Sequence, residues 1–210
     1  RKEGFDVVAI RADLAQAPEA KALVARTEQQ LGPVDVLVNS AGAAKRHTMD
    51  EYDEEAWRQG INSKYFPYVN AMDAVRAGMI KRGRGVIVNI IGNGGKIANP
   101  THLAGGAANA ALMLVTTGMA HALGRNGIRV NTINPGPTST DRIEQSLRFQ
   151  AKAAGIGVDE MLKRNQDQIP LGRFGKPEEV AAVELFLASE QASYVTGAII
   201  PMDGAAVPVI

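Results

Sequence analysis

Residues 84–113 read RGVIVNIIGNGGKIANPTHLAGGAANAALM, and this stretch decides the fold. Val86, Ile87, Val88, Ile90 and Ile91 make a nearly unbroken run of β-branched residues, the pattern of a parallel strand covered by helices on both faces. Leu112, Val115, Met119 and Leu123 then recur at helical spacing, which predicts a helix over about 104–124 with one apolar face. Between strand and helix lies the loop 92–103, rich in glycine. In open α/β sheets ligands bind beyond the carboxyl ends of the strands, so chemistry is expected there.

Working outward, the segments on either side repeat the alternation of strand and helix. Val34–Val38 is a second apolar run, ending in Asn39-Ser40-Ala41-Gly42, where small residues let backbone pass close to a ligand and Asn39 can tie neighbouring strands. Ile128–Ile133 is a third, leading into the proline- and glycine-rich turn Asn134-Pro135-Gly136-Pro137-Thr138-Ser139-Thr140. Val7, Val8 and Ile10 predict a strand that runs into Asp13-Leu14, and Pro18 then opens a helix whose Ala20, Leu23, Thr27 and Leu31 share a face. The residues alone leave Asp13 equally a turn or cap before that helix.

From Glu54 a long helix is expected, in which Ile61, Tyr65, Tyr68, Met72, Val75 and Met79 alternate spacings of four and three like a coiled-coil seam. That seam suits packing on the chain's own sheet or pairing with a second copy. Pro67 falls inside it and should kink the helix or remove a hydrogen bond. Residues 141–168 are polar with scattered apolar positions and predict a loosely packed segment. Pro177 with Glu178 and Glu179 opens a further helix.

Composition narrows the function. The 210 residues are 45% hydrophobic, enough for one substantial core, and nothing marks a second domain. A net charge of +1, with no basic block, gives no sign of nucleic acid or of an anionic membrane. Cysteine is absent, which removes disulfides and thiolate metal sites and fits a cytoplasmic protein. No apolar run approaches the roughly 20 residues of a membrane span. No metal site is expected.

These motifs, with the ending Ser193-Tyr194-Val195-Thr196-Gly197-Ala198-Ile199-Ile200-Pro201-Met202-Asp203-Gly204, resemble the short-chain dehydrogenase/reductase family along nearly the whole chain. The resemblance implies an α/β fold, a three-layer Rossmann-like doubly wound parallel sheet, as a single domain over 1–210. The family's first strand, helix and second strand, with their glycine-rich cofactor turn, are missing from this sequence before Arg1, so the expectation is either a fragment or a protein that lacks that cradle. It also implies NAD or NADP as cofactor, contacted by Asp13, Leu14, Asn39, Ala41, Gly42, Asn109, Pro135, Gly136, Thr138 and Thr140, with Asn39-Ser40-Ala41-Gly42 standing for the family's Asn-Asn-Ala-Gly. A homo-oligomer, dimer or tetramer, is implied through the helices at 54–81 and 104–124, and residues 141–168 stand where the family has a substrate-covering lid.

The resemblance carries a contradiction. Laid over the family's catalytic pattern by the tail Ala110-Ala111-Leu112, the Ser position is Gly92, the Tyr position Gly105 and the Lys position Asn109. Asn62 falls where the family keeps a catalytic Asn. Among residues able to substitute, His102 stands in the site loop and its imidazole titrates near neutrality. It precedes Asn109 by seven residues, the spacing at which the superfamily's enoyl reductases place Tyr before Lys. A solvated loop histidine is the plainer reading. The expected function is an NAD(P)-dependent oxidoreductase with a non-standard active site, acting on a carbonyl or enoyl substrate. The alternative is a non-catalytic binding or partner protein on the same fold.

Overall fold

The computed structural model describes residues 4–42 and 44–208, apart from the side chain of Arg142. Four parallel strands, β1 (Val36–Asn39), β2 (Gly85–Ile90), β3 (Ile128–Pro135) and β4 (Ile199–Met202), lie side by side in that order. The helices are α1 (Ala17–Leu31), α2 (Glu54–Arg82), α3 (Leu103–Leu123), α4 (Asp141–Ala154), α5 (Val158–Asp167) and α6 (Pro177–Ala188).

The apolar run of β2 is explained by its two covers. Ile87 and Ile91 join Ile128 and Val130 against Tyr68, Met72, Val75 and Met79 of α2 and Leu112 and Leu123 of α3. Val88 and Ile133 point the other way, against Leu187 of α6 and Ala192. The sheet is therefore the middle of three layers. Arg129 of β3 fastens the second cover, donating to the carbonyls of Leu187 (2.8 Å) and Ser189 (3.0 Å) at the end of α6.

The seam of α2 faces this core. Tyr68, Met72, Val75 and Met79 are buried and Tyr65 packs against them, while Trp57, Phe66 and, on α3, Leu114 are exposed. Pro67 does not interrupt α2, which is helical from Glu54 to Arg82. What it removes is the amide that would bond the carbonyl four residues earlier, that of Ser63. Gly60 lies flat on Ala104, so closely that a Cβ at 60 would collide with that of Ala104. This contact brings the second turn of α2 against the first turn of α3.

Four expectations are corrected. The apolar run at 7–10 is not a strand, and Phe5, Val7 and Val8 are exposed. Extended backbone becomes a strand by pairing, and β1, whose described partner is β2, is the sheet edge. Val36 and Val38 on β1 are correspondingly exposed, and so is Leu31 on the expected buried face of α1. Residues 141–168 are not loose: Leu147, Ala151 and Met161 of α4 and α5 bury against Ile169 and Phe174. Finally, residues 103–126 are long and apolar enough to cross a membrane, with a mean hydropathy of 1.3. In its most apolar 18-residue stretch 44% is buried inside the fold, with Leu112, Met113, Ala120 and Leu123 in the core.

Candidate functional site

The carboxyl ends of β1, β2 and β3 meet the N-terminal turns of α2 and α3, and the expected site residues gather there in two groups. The first lines a cleft of about 320 Å³ formed by Asp13, Ala15, Lys45, His47, Gln59, Gly60, Asn62 and Ser63. Asp13 and Asn62, apart in sequence, thus share one wall. Asp13 also shapes its own turn, its Oδ1 accepting from the Ala15 amide at 3.0 Å and its amide donating to Glu19 at 2.6 Å. Asn70 holds the same turn by donating to the carbonyls of Leu14 and Ala15.

The second group surrounds the loop after β2, whose residues Asn93–Gly95 form a single 3-10 turn. Three of its glycines are close-approach positions. A Cβ on Gly95 would meet the Ala110 amide nitrogen at 2.6 Å, and one on Gly106 the Gly94 carbonyl at 2.8 Å, so the loop lies directly on α3. At Gly105 a Cβ would fall inside the imidazole of His102, against Cε1 and Nε2, and 2.9 Å from the Cβ of Ala44. His102 therefore fills the space in which a side chain at 105 would begin. Its backbone is the N-cap of α3, fixed by its amide donating a hydrogen bond to the Asn99 carbonyl (2.9 Å). The neighbouring residue clasps the cleft loop, since Thr101 accepts from the His47 amide at 3.1 Å and its hydroxyl from Arg46 at 3.1 Å.

Asn109 is buried with its Nδ2 3.5 Å from where a Cβ of Gly92 would stand. Its Oδ1 is buried without a hydrogen-bond partner, a costly state unless a ligand or water donates to it. Two further orphaned oxygens, Thr132 Oγ1 and Asn134 Oδ1, lie on β3. Asn39 ties the strands as its position suggested, donating to Asn89 at 2.9 Å, while Asn89 donates to Thr116 of α3 at 2.9 Å. Ala41 is exposed and Gly42 half-buried, with φ +128 and no room for a Cβ, which would lie 2.9 Å from the Ser63 carbonyl. That carbonyl is the one Pro67 frees from the helix. At the end of β3, Thr138 donates to the Gly136 carbonyl (3.1 Å), and Thr140 is the exposed N-cap of α4. Pro135 and Gly136 bring this turn beside Asp203.

Ala41 and Gly42 carry little or no side chain, and the orphaned Asn109 Oδ1 can accept from a ligand hydroxyl. Sequence reasoning missed Lys45, His47, Gln59 and Ser63, which have no motif, and Lys64 and Tyr68. Those two left a signal: Gly60, Lys64 and Tyr68 follow at steps of four, which puts a lysine on the buried stripe of α2.

Known proteins resemble the chain in sequence and in fold. The family model described as enoyl-(acyl carrier protein) reductase matches residues 1–205. The chain is 37% identical to galactitol 2-dehydrogenase (L-tagatose-forming) of Cereibacter sphaeroides over 93% of its own length and 74% of the relative's. It is 38% identical to the 3-oxoacyl-[acyl-carrier-protein] reductase FabG of Thermotoga maritima, over 89% and 71%. Among solved structures, YwfH, an NADPH-dependent reductase involved in bacilysin biosynthesis, superposes with a TM-score of 0.91 at 29% identity, covering 100% of this chain and 81% of that one. A gluconate 5-dehydrogenase from Burkholderia cenocepacia in complex with NADP and tartrate gives 0.84 at 28% identity, over 94% and 74%.

Proposed function

The chain belongs to the short-chain dehydrogenase/reductase family, and from that premise we propose that it is a nicotinamide-dependent oxidoreductase in which His102 is the proton donor and acceptor. The observation that carries this reading is the imidazole of His102 standing over Gly105. A nicotinamide in its reduced form supplies hydride to a carbonyl or enoyl carbon. The substrate oxygen or carbon left negative then needs a proton. An imidazolium directs Nε2 into the space above Gly105 and can give that proton, then recover it from solvent; oxidation of an alcohol runs the same transfer in reverse.

Other residues position the reactants. Ala41 and Gly42 offer backbone with little bulk, and Asn109 Oδ1 accepts from a ribose hydroxyl. Asn62, on the wall of the cleft beside Asp13, holds a water that relays the proton. By their names the relatives act on a sugar alcohol, a 3-oxoacyl carrier-protein conjugate and a sugar acid, so a polar carbonyl or hydroxyl compound is the substrate class to try first.

The test is oxidation of NADPH and NADH with a panel of ketoses, 3-oxoacyl thioesters and enoyl thioesters, and the reverse reaction with polyols. Turnover is expected with at least one, and His102→Ala should lower kcat by about a hundredfold or more. Turnover unaffected in His102→Ala would remove His102 from the chemistry while leaving the oxidoreductase standing. Failure of every substrate with either nucleotide would favour a binding protein on this fold.

A further inference from the structure

Among the described residues one cation is buried, and it is not on α3. Lys64, two residues after Asn62, is 8% exposed. Its Nζ donates to the hydroxyl of Tyr68 at 3.2 Å and lies 4.7 Å from the ring centroid. The Tyr68 hydroxyl in turn donates to the Ile90 carbonyl at 2.6 Å, so the ammonium is chained to the carboxyl end of β2, two residues before Gly92. Its stem runs along the backbone of the loop after β1, since a Cβ on Gly42 would meet Lys64 Cα and Cδ at 3.5 Å. Ala44, on the far side of that loop, faces Gly105.

Taking an ammonium out of water is expensive, and an uncharged chain of the same length would fill this position without that cost. Inside a fold the charge acts through a low dielectric and its field reaches well beyond its contacts. At 109, where the family resemblance places a lysine, there is an amide. We propose that Lys64 supplies the positive charge of this site from the neighbouring helix. It is a positioning residue: held on Tyr68 against Gly42, it favours a phosphate-bearing dinucleotide whose ribose hydroxyls lie along that loop.

This inference rests on the nicotinamide-dependent reading, and one set of titrations separates them. The wild type, Lys64→Met and Lys64→Arg are titrated with NADPH and NADH by nucleotide fluorescence, and thermal unfolding of each is recorded without nucleotide. Lys64→Met is expected to weaken binding by about tenfold or more with a Tm no lower than the wild type, and Lys64→Arg to recover most of the loss. Equal affinity in wild type and Lys64→Met overturns the role of Lys64 alone. So does a loss of affinity that tracks a fall in Tm and is not rescued by Arg, which marks a structural lysine. A wild type that binds neither dinucleotide overturns the nicotinamide reading, and the assignment of Lys64 goes with it.

Discussion

Gly105 and Gly92 are the same residue type under opposite constraints. At 105 any Cβ meets the His102 ring and Ala44, so Gly105→Ala must expel the imidazole or move the start of α3. Such overpacking costs about 1–3 kcal/mol. At 92 the backbone is in an ordinary region, φ −55 and ψ 149, and the nearest atom to an added Cβ is Asn109 Nδ2 at an easy 3.5 Å. Gly92→Ser should therefore change stability by less than about 0.5 kcal/mol. Urea unfolding of both variants checks this, and equal losses would show that the crowding at 105 is not real. Spacing alone located both glycines and His102. It could not show the ring lying over Gly105, because that pose depends on Asn99, and its neighbour Thr101 is clasped by His47 and Arg46, the latter two more than fifty residues away in sequence.

At the scale of elements, α6 shows how a sequence signal becomes measurable. Pro177 and two acids mark its start, and Glu179 accepts from the Lys176 amide at 2.7 Å and from both terminal nitrogens of Arg173 at 2.6 and 2.9 Å. These bonds, the Arg173 pair first, pull the exposed Glu179 carboxyl down to about 2. A lowered carboxylate stabilises the fold fully above its unfolded value, 4.5, and that contribution fades as pH falls through about 2. Glu179→Gln should accordingly lower Tm at neutral pH, with the gap to wild type closing between those two values. A gap constant with pH would mean the ion pair contributes nothing.

Elements were legible where the signal is local and lost where it depends on partners. Helix α6 and the run of β2 carry their own marks. The run at 7–10 carries an equally good strand pattern, yet no described strand lies beside it to complete the ladder. In α4 and α5 the apolar positions look scattered, because Ile169 and Phe174, which complete their core, come from beyond the segment.

For the whole molecule, the three-layer plan was readable because a sheet buried on both sides writes continuous apolar runs, and β2 and β3 do so. The site at the strand ends followed from that plan. Its charge distribution did not, since a lysine in the apolar stripe of α2 acquires meaning only when Gly42 is seen against it. The same helix joins the site to the core. Pro67 divides its hydrogen-bond ladder between the part that lines the cleft with Gln59, Gly60, Asn62 and Ser63 and the part that buries Tyr68, Met72, Val75 and Met79 against the sheet. A helix cut in this way need not open as one unit: amides at 58–62 should exchange with deuterium sooner than those at 71–79, with Pro67→Ala drawing the two rates together. Uniform protection along the helix in the wild type would count against this. On these terms the ligand-facing half of α2 can breathe while the half that carries the core stays shut.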